Sequence, residues 1–121
     1  MNTIKLLLAD DDELLASLLN YRLKKGGYEV TLCVDGKKVK EYLENNTPDV
    51  IVTDIMMPYF SGLEITDYVR NVLKLDIPII ILSSAGNEEN VLSAFKLGAN
   101  DFLSKPVSPA ELILRLKKEL V

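Results

Sequence analysis

Residues 5–15 read KLLLADDDELL: a lysine, four apolar residues, three aspartates, a glutamate and two leucines. An apolar run with no polar alternation is the pattern of a strand buried on both faces, as in a parallel sheet covered by its own crossover helices. Three adjacent like charges repel, so their position directly after such a strand calls for a compensating partner. Working outward, the same punctuation recurs. Candidate strands cover Lys5–Ala9, Glu29–Cys33, Val50–Thr53, Ile79–Leu82 and Phe102–Ser104, separated by longer amphipathic stretches. Leu14, Leu15, Leu18, Leu19 and Leu23 recur at helical spacing, and Gly26-Gly27 ends that helix. Val39, Tyr42 and Leu43 repeat the pattern after Asp35 as a cap. Ser61-Gly-Leu-Glu64 and Ser108-Pro-Ala-Glu111 both fit a capping box, with Pro109 at the first helical position. Asn87 is placed to cap a fourth helix running to about Leu97, before Gly98. Five strand and helix pairs with short connections predict an α/β domain, a parallel sheet with helices on both faces.

The totals bound what such a domain can do. A chain of 121 residues, 48% of them hydrophobic, fits one domain spanning residues 1–121. Lys and Arg number 14 against 18 Asp and Glu, a net charge of -4, which argues against direct nucleic-acid binding. No apolar run approaches the ~20 residues that cross a bilayer, and Met1 to Leu8 lacks the long apolar region of a signal peptide. Cys33 is the single cysteine, in keeping with a reducing compartment, so a cytoplasmic protein with no membrane association is expected. With no histidine, His-centred triads and the usual zinc sites drop out.

The chemistry lies at the carboxyl end of each strand. Asp10-Asp11-Asp12 stands after the first, Asp54 after the third, Ser83-Ser84 after the fourth and Lys105-Pro106 after the fifth. In an open α/β sheet these ends gather at the point of topological reversal, where ligands bind. Taken singly, each has a plain reading: aspartates cap helices and form turns, serines end strands, and a lysine before a proline is a solvated loop residue. Asp54 resists it, because Ile-Met-Met-Pro comes next and no helix there needs a cap. Clustered carboxylates without histidine or thiol suit a hard cation such as Mg²⁺, and a lysine beside them favours a phosphoryl group. Together they suggest acyl phosphate formation on an aspartate.

Four segments carry a resemblance over essentially the whole chain. LLLADDDELL, IVTDIMMPYFSG, ILSSAG and LGANDFLSKP, in that order, resemble the motifs of the receiver domains of two-component response regulators, the chemotaxis-regulator-like family. The resemblance implies a flavodoxin-like, three-layer (βα)5 fold with strand order 2-1-3-4-5. It implies Asp54 as phosphoacceptor, Asp11 as a direct Mg²⁺ ligand with Asp10 acting directly or through water, and Met56 supplying its backbone carbonyl to the metal. Lys105 would pair with Asp54 at rest and with the phosphoryl oxygens afterwards, with a cis bond to Pro106. Ser83 and Phe102 would form the switch. The implied partners are a sensor histidine kinase and a downstream effector domain or protein, with transcription regulation as one output. The domain would catalyse only its own phosphorylation and dephosphorylation, either free-standing or as part of a longer regulator.

Departures from the family pattern sharpen these expectations. Ser83 stands where threonine is commoner, Phe102 where tyrosine is frequent, and Val107 where an aromatic is usual. Asp101, Glu111 and Arg115 match charges through which many winged-helix regulators of the family dimerise after phosphorylation, whereas Val91 and Asn100 break that set. Met56 and Ala85, which would flank the water attacking the phosphoaspartate, cannot orient it, so slow self-dephosphorylation is expected. Tyr59 and Phe60 border the same loop and are candidates for a partner contact. Two other classes fit less well. An aspartyl phosphohydrolase would carry a second acid two residues after the first, where Met56 stands, and a flavin carrier would need a Ser/Thr/Gly-rich phosphate loop in place of ADDDELL.

Overall fold

The computed structural model describes residues 3–121. Strands β1 (Lys5–Ala9), β2 (Glu29–Cys33), β3 (Val50–Asp54), β4 (Ile79–Ser83) and β5 (Asp101–Ser104) alternate with helices α1 (Glu13–Lys25), α2 (Gly36–Asn45), α3 (Gly62–Asp67), α4 (Glu88–Leu97) and α5 (Pro109–Glu119). All pairings are parallel, in the expected order β2-β1-β3-β4-β5. The strand order reverses between β1 and β3, so the residues at their carboxyl ends face one crevice. Three strands reach one residue further than the sequence pattern suggests: β3 takes in Asp54, β4 takes in Ser83 and β5 starts at Asp101.

Strand periodicity divides the core in two. Leu6 and Leu8 of β1 join Val50, Val52, Ile80 and Leu82 beneath Leu19 and Leu23 of α1 and Leu112 and Leu116 of α5. Leu7 and Ala9 join Ile51, Ile79 and Ile81 on the other face, under Val39, Ile65, Val69, Val91 and Ala94 from the α2, α3 and α4 side. Burial of both faces is why the central strands carry no alternation.

The caps divide into three outcomes. Asp12 and Asp35 accept from the backbone N–H groups of Leu15 and Lys38, and Ser61 with Glu64 closes a complete capping box. At α5 only half of the expected box forms: Ser108 accepts from Glu111 N–H, but the Glu111 carboxylate turns to Arg115 instead. At α4 the expected cap is absent. Asn87 sits at φ -108°, ψ 22°, outside the extended conformation that aims a capping oxygen at the helix, and its amide donates to the Ser84 carbonyl.

Two features gave no signal in the sequence. The end of α3 widens into a π turn over Tyr68–Val72, with Leu73 N–H bonding the Tyr68 carbonyl. From that turn Arg70 donates to the carbonyls of Gly98 and Leu75 and to Asn100 Oδ1, which also accepts from Ile79 N–H. Burial pulls the Arg70 guanidinium below its ordinary pKa.

Candidate functional site

β1 and β3 are adjacent and in register, Ala9 beside Thr53, so Asp10 and Asp54 emerge side by side at their ends. Asp10 is fully buried and Asp54 nearly so, while Asp11 is exposed. The carboxylates of the three offer oxygens that all lie within 4.8 Å of one another. The third aspartate of the run has a different role, capping α1. Asp10 also shapes this turn, since its Oδ1 accepts from Asp12 N–H at 2.9 Å.

Lys105 reaches this cluster from the end of β5. Its Nζ lies 3.1 Å from Asp10 Oδ2 and 3.3 Å from Asp54 Oδ2, and its peptide bond to Pro106 is cis. The expected partner was Asp54; the bridge to Asp10 is additional, and joins residues 95 positions apart that no local pattern connects. Three carboxylates against one ammonium leave an excess of negative charge, two of the three being buried. Burial pushes the Asp54 carboxyl up from 3.8 to about 6, the Asp10 charge adds to this, and Lys105 opposes it. Burial also pulls Lys105 down, but its hydrogen bond to Asp10 and the charges of both aspartates outweigh that and leave it raised.

The donor set fits a divalent cation. It is all oxygen, and Asp10 Oδ2, though beside Lys105, is buried without a hydrogen-bond partner. Gly62 permits the loop that carries Met56, because a Cβ there would lie 2.5 Å from the Asp54 carbonyl oxygen and 2.9 Å from Ile55 Cα. Gly62 N–H bonds the Ile55 carbonyl and closes the loop beneath the site.

The remaining candidates lie on the β4–β5 side. Ser83 is buried at the end of β4, its hydroxyl donating to the Ser84 carbonyl at 3.1 Å, and its own carbonyl accepts from Lys105 N–H at 2.7 Å. Phe102 is 39% exposed and meets Phe95 edge-to-face at 6.0 Å. Between α4 and β5 lies a cavity of about 430 Å³ bordered by Ser83, Val91, Leu92, Phe95, Phe102 and Lys105. Val91 is buried against this space, which explains why no charge stands there. Arg115 pairs within the chain, to Asp101 at 2.8 Å and Glu111 at 3.1 Å.

In the β3–α3 loop the two aromatics separate. Tyr59 is 79% exposed at φ +72°, but Phe60 packs edge-to-face on Tyr68 below the Lys40 ammonium. One residue escaped sequence reasoning. Asn90 of α4 places its amide on Met56 Sδ at 3.7 Å, and its spacing of three from Asn87 was the available signal.

The arrangement agrees with sequence comparison. Residues 6–117 match the family described as the response regulator receiver domain. The chain belongs to this family. Among curated proteins, the receiver domain is 37% identical over 113 residues to the alkaline phosphatase synthesis transcriptional regulatory protein PhoP of Bacillus subtilis (strain 168), covering 93% of this chain and 47% of that protein. The chain thus spans about half the length of that relative. Its structure resembles the Francisella response regulator 1452 receiver domain, with 35% identity, TM-score 0.87 and coverage of 98% of this chain and 97% of that one. It also resembles the chemotaxis response regulator CheY4 of Vibrio cholerae, with 28% identity, TM-score 0.89 and coverage of 98% and 100%. Among the described residues no helix is long and apolar enough to cross a membrane.

Proposed function

We propose that this receiver domain is a Mg²⁺-dependent phosphoacceptor, modified on Asp54 by a sensor histidine kinase. The observation that carries the reading is the convergence of Asp10, Asp11 and Asp54 within 4.8 Å, with Lys105 bridging two of them. Asp11, Asp10, Asp54 and the Met56 carbonyl would hold the ion, which supplies charge neutralisation for a transferring phosphoryl group. The Asp54 carboxylate attacks phosphorus, its O–P bond forming as the P–N bond of a phosphohistidine breaks, and the imidazole leaves. Lys105 then exchanges the Asp54 carboxylate for phosphoryl oxygens.

The added charge, about -1.5 to -2 at neutral pH, gives the Ser83 hydroxyl a stronger acceptor than the Ser84 carbonyl it now uses. Its movement opens the cavity edge toward which Phe102 can turn from its outer position. The face where Leu92, Phe95, Phe102 and Leu114 are exposed would then signal to an effector domain or to a second copy of the chain. Incubation with Mg²⁺ and acetyl phosphate, or with beryllofluoride, should give one stoichiometric adduct. Asp54→Asn should abolish it, and Asp11→Ala should abolish Mg²⁺-dependent adduct formation while stabilising the metal-free fold. An adduct that survives Asp54→Asn would place the acceptor elsewhere.

A further inference from the structure

The Ser83 hydroxyl and the Met56 side chain are joined by contacts that phosphotransfer itself leaves unused. The Ser84 carbonyl accepts from Ser83 Oγ at 3.1 Å and from Asn87 Nδ2 at 3.3 Å. Asn87 Oδ1 in turn accepts from Asn90 Nδ2 at 3.5 Å, and the same Nδ2 lies 3.7 Å from Met56 Sδ. Met56 stands two residues beyond Asp54 in the β3–α3 loop, and Asn90 lies in the first turn of α4. A contact between those two elements crosses the ends of β3 and β4, neighbouring strands whose last residues are Asp54 and Ser83.

Every link is long against the ~2.9 Å of a well-made N–H···O bond, and a thioether is a weak acceptor. Such links restrain without locking. Met56 is 53% exposed, and an unbranched side chain with three rotatable bonds samples many positions unless something holds it. Among the described residues the Asn90 amide is the polar group that reaches it.

We propose that Asn90 is a positioning residue of the phosphoryl site, holding the Met56 side chain across the approach to Asp54 and so limiting entry of both small phosphodonors and water. This rests on Asp54 being the phosphoacceptor. Because Asn87 shares the Asn90 amide and also shares the Ser84 carbonyl with Ser83, a Ser83 hydroxyl that turns to a phosphoryl group disturbs the hold.

Asn90→Leu keeps the branching at Cγ and removes the donor. With ¹³C-labelled methionine methyls, the Met56 signal should shift and sharpen in Asn90→Leu, while stoichiometric beryllofluoride binding shows that the site has folded. Adduct formation from acetyl phosphate and adduct hydrolysis should both accelerate several-fold and by a common factor. Met56→Ala should accelerate both alike, and Asn90→Leu should have no further effect in that background. An unmoved Met56 signal, or an Asn90→Leu effect that persists undiminished in Met56→Ala, would overturn the inference. Failure of the parent to form an adduct would sink the phosphoacceptor reading and this inference together; an adduct with unchanged rates in Asn90→Leu would sink this inference alone.

Discussion

The two halves of the crevice are built differently. On the β1–β3 side Asp10 is fully buried, its Oδ1 holds Asp12 N–H at 2.9 Å, and the loop beneath Asp54 is closed so tightly that only glycine fits at 62. On the β4–β5 side α4 begins without a side-chain cap, the side-chain contacts of Asn87 and Asn90 run from 3.3 to 3.7 Å, and a cavity of about 430 Å³ lies between it and β5. The proposed chemistry, which depends on the placement of charge, would sit in the stiff half. The groups that would respond to it sit where few strong interactions resist movement.

This contrast can be tested by perturbing each side. The largest effect is expected from Lys105→Met, which withdraws the ammonium that reaches from the end of β5 into the stiff side and leaves Asp10 and Asp54 without their cation. Loss of about 3 kcal/mol in metal-free urea unfolding at pH 7 is expected, with recovery on adding Mg²⁺. A loss under about 1 kcal/mol would show that solvent already screens the pair.

Next comes the pH dependence of Asp54. Its folded pKa of about 6 lies above the ordinary 3.8, so the folded chain holds this proton more tightly than the unfolded one. That contribution to stability is fully present below pH 4 and is lost as pH rises through 6. Asp54→Asn removes the loss, and should exceed the metal-free parent by on the order of 2 kcal/mol at pH 7, an advantage that vanishes toward pH 4. A difference independent of pH would mean that Lys105 fully offsets the burial.

The two helix starts give the smallest effects and the most direct contrast. Asp12→Ala should cost about 1 kcal/mol and leave phosphorylation intact, because its oxygen caps α1. Asn87→Ala should cost under about 0.5 kcal/mol, because Asn87 makes no capping bond to α4. Equal losses at the two positions would remove the distinction between the halves.

The same contrast governs how much was legible in the sequence. The parallel α/β sheet and the gathering of Asp10, Asp11, Asp54, Ser83 and Lys105 follow from polar residues punctuating apolar runs, a local pattern, whereas the strand order came only with the family resemblance. So does Asp12 as cap, since extended backbone before a helix brings its oxygen to the Leu15 N–H. What was not legible depends on contacts between distant segments or on backbone angles. The Lys105 bridge to Asp10 spans 95 positions, the failed cap at Asn87 turns on its φ and ψ, and Glu111 chose Arg115 over its own backbone. Phe60 likewise reads as a free loop aromatic in the sequence, and only the fold brings Tyr68 against it.

The clamp at Arg70 has a mechanical consequence. Its guanidinium fixes the Gly98 carbonyl and Asn100 at the far end of α4, where Gly98 takes a left-handed turn at φ +114°. The helix is therefore a lever with its fulcrum at the carboxyl end and its free arm beside Asp54. Were phosphorylation to displace Ser84, the movement would be greatest at Glu88 to Asn90 and fade toward Gly98, so a receiver built this way would convert a local change of charge into a swing rather than a slide.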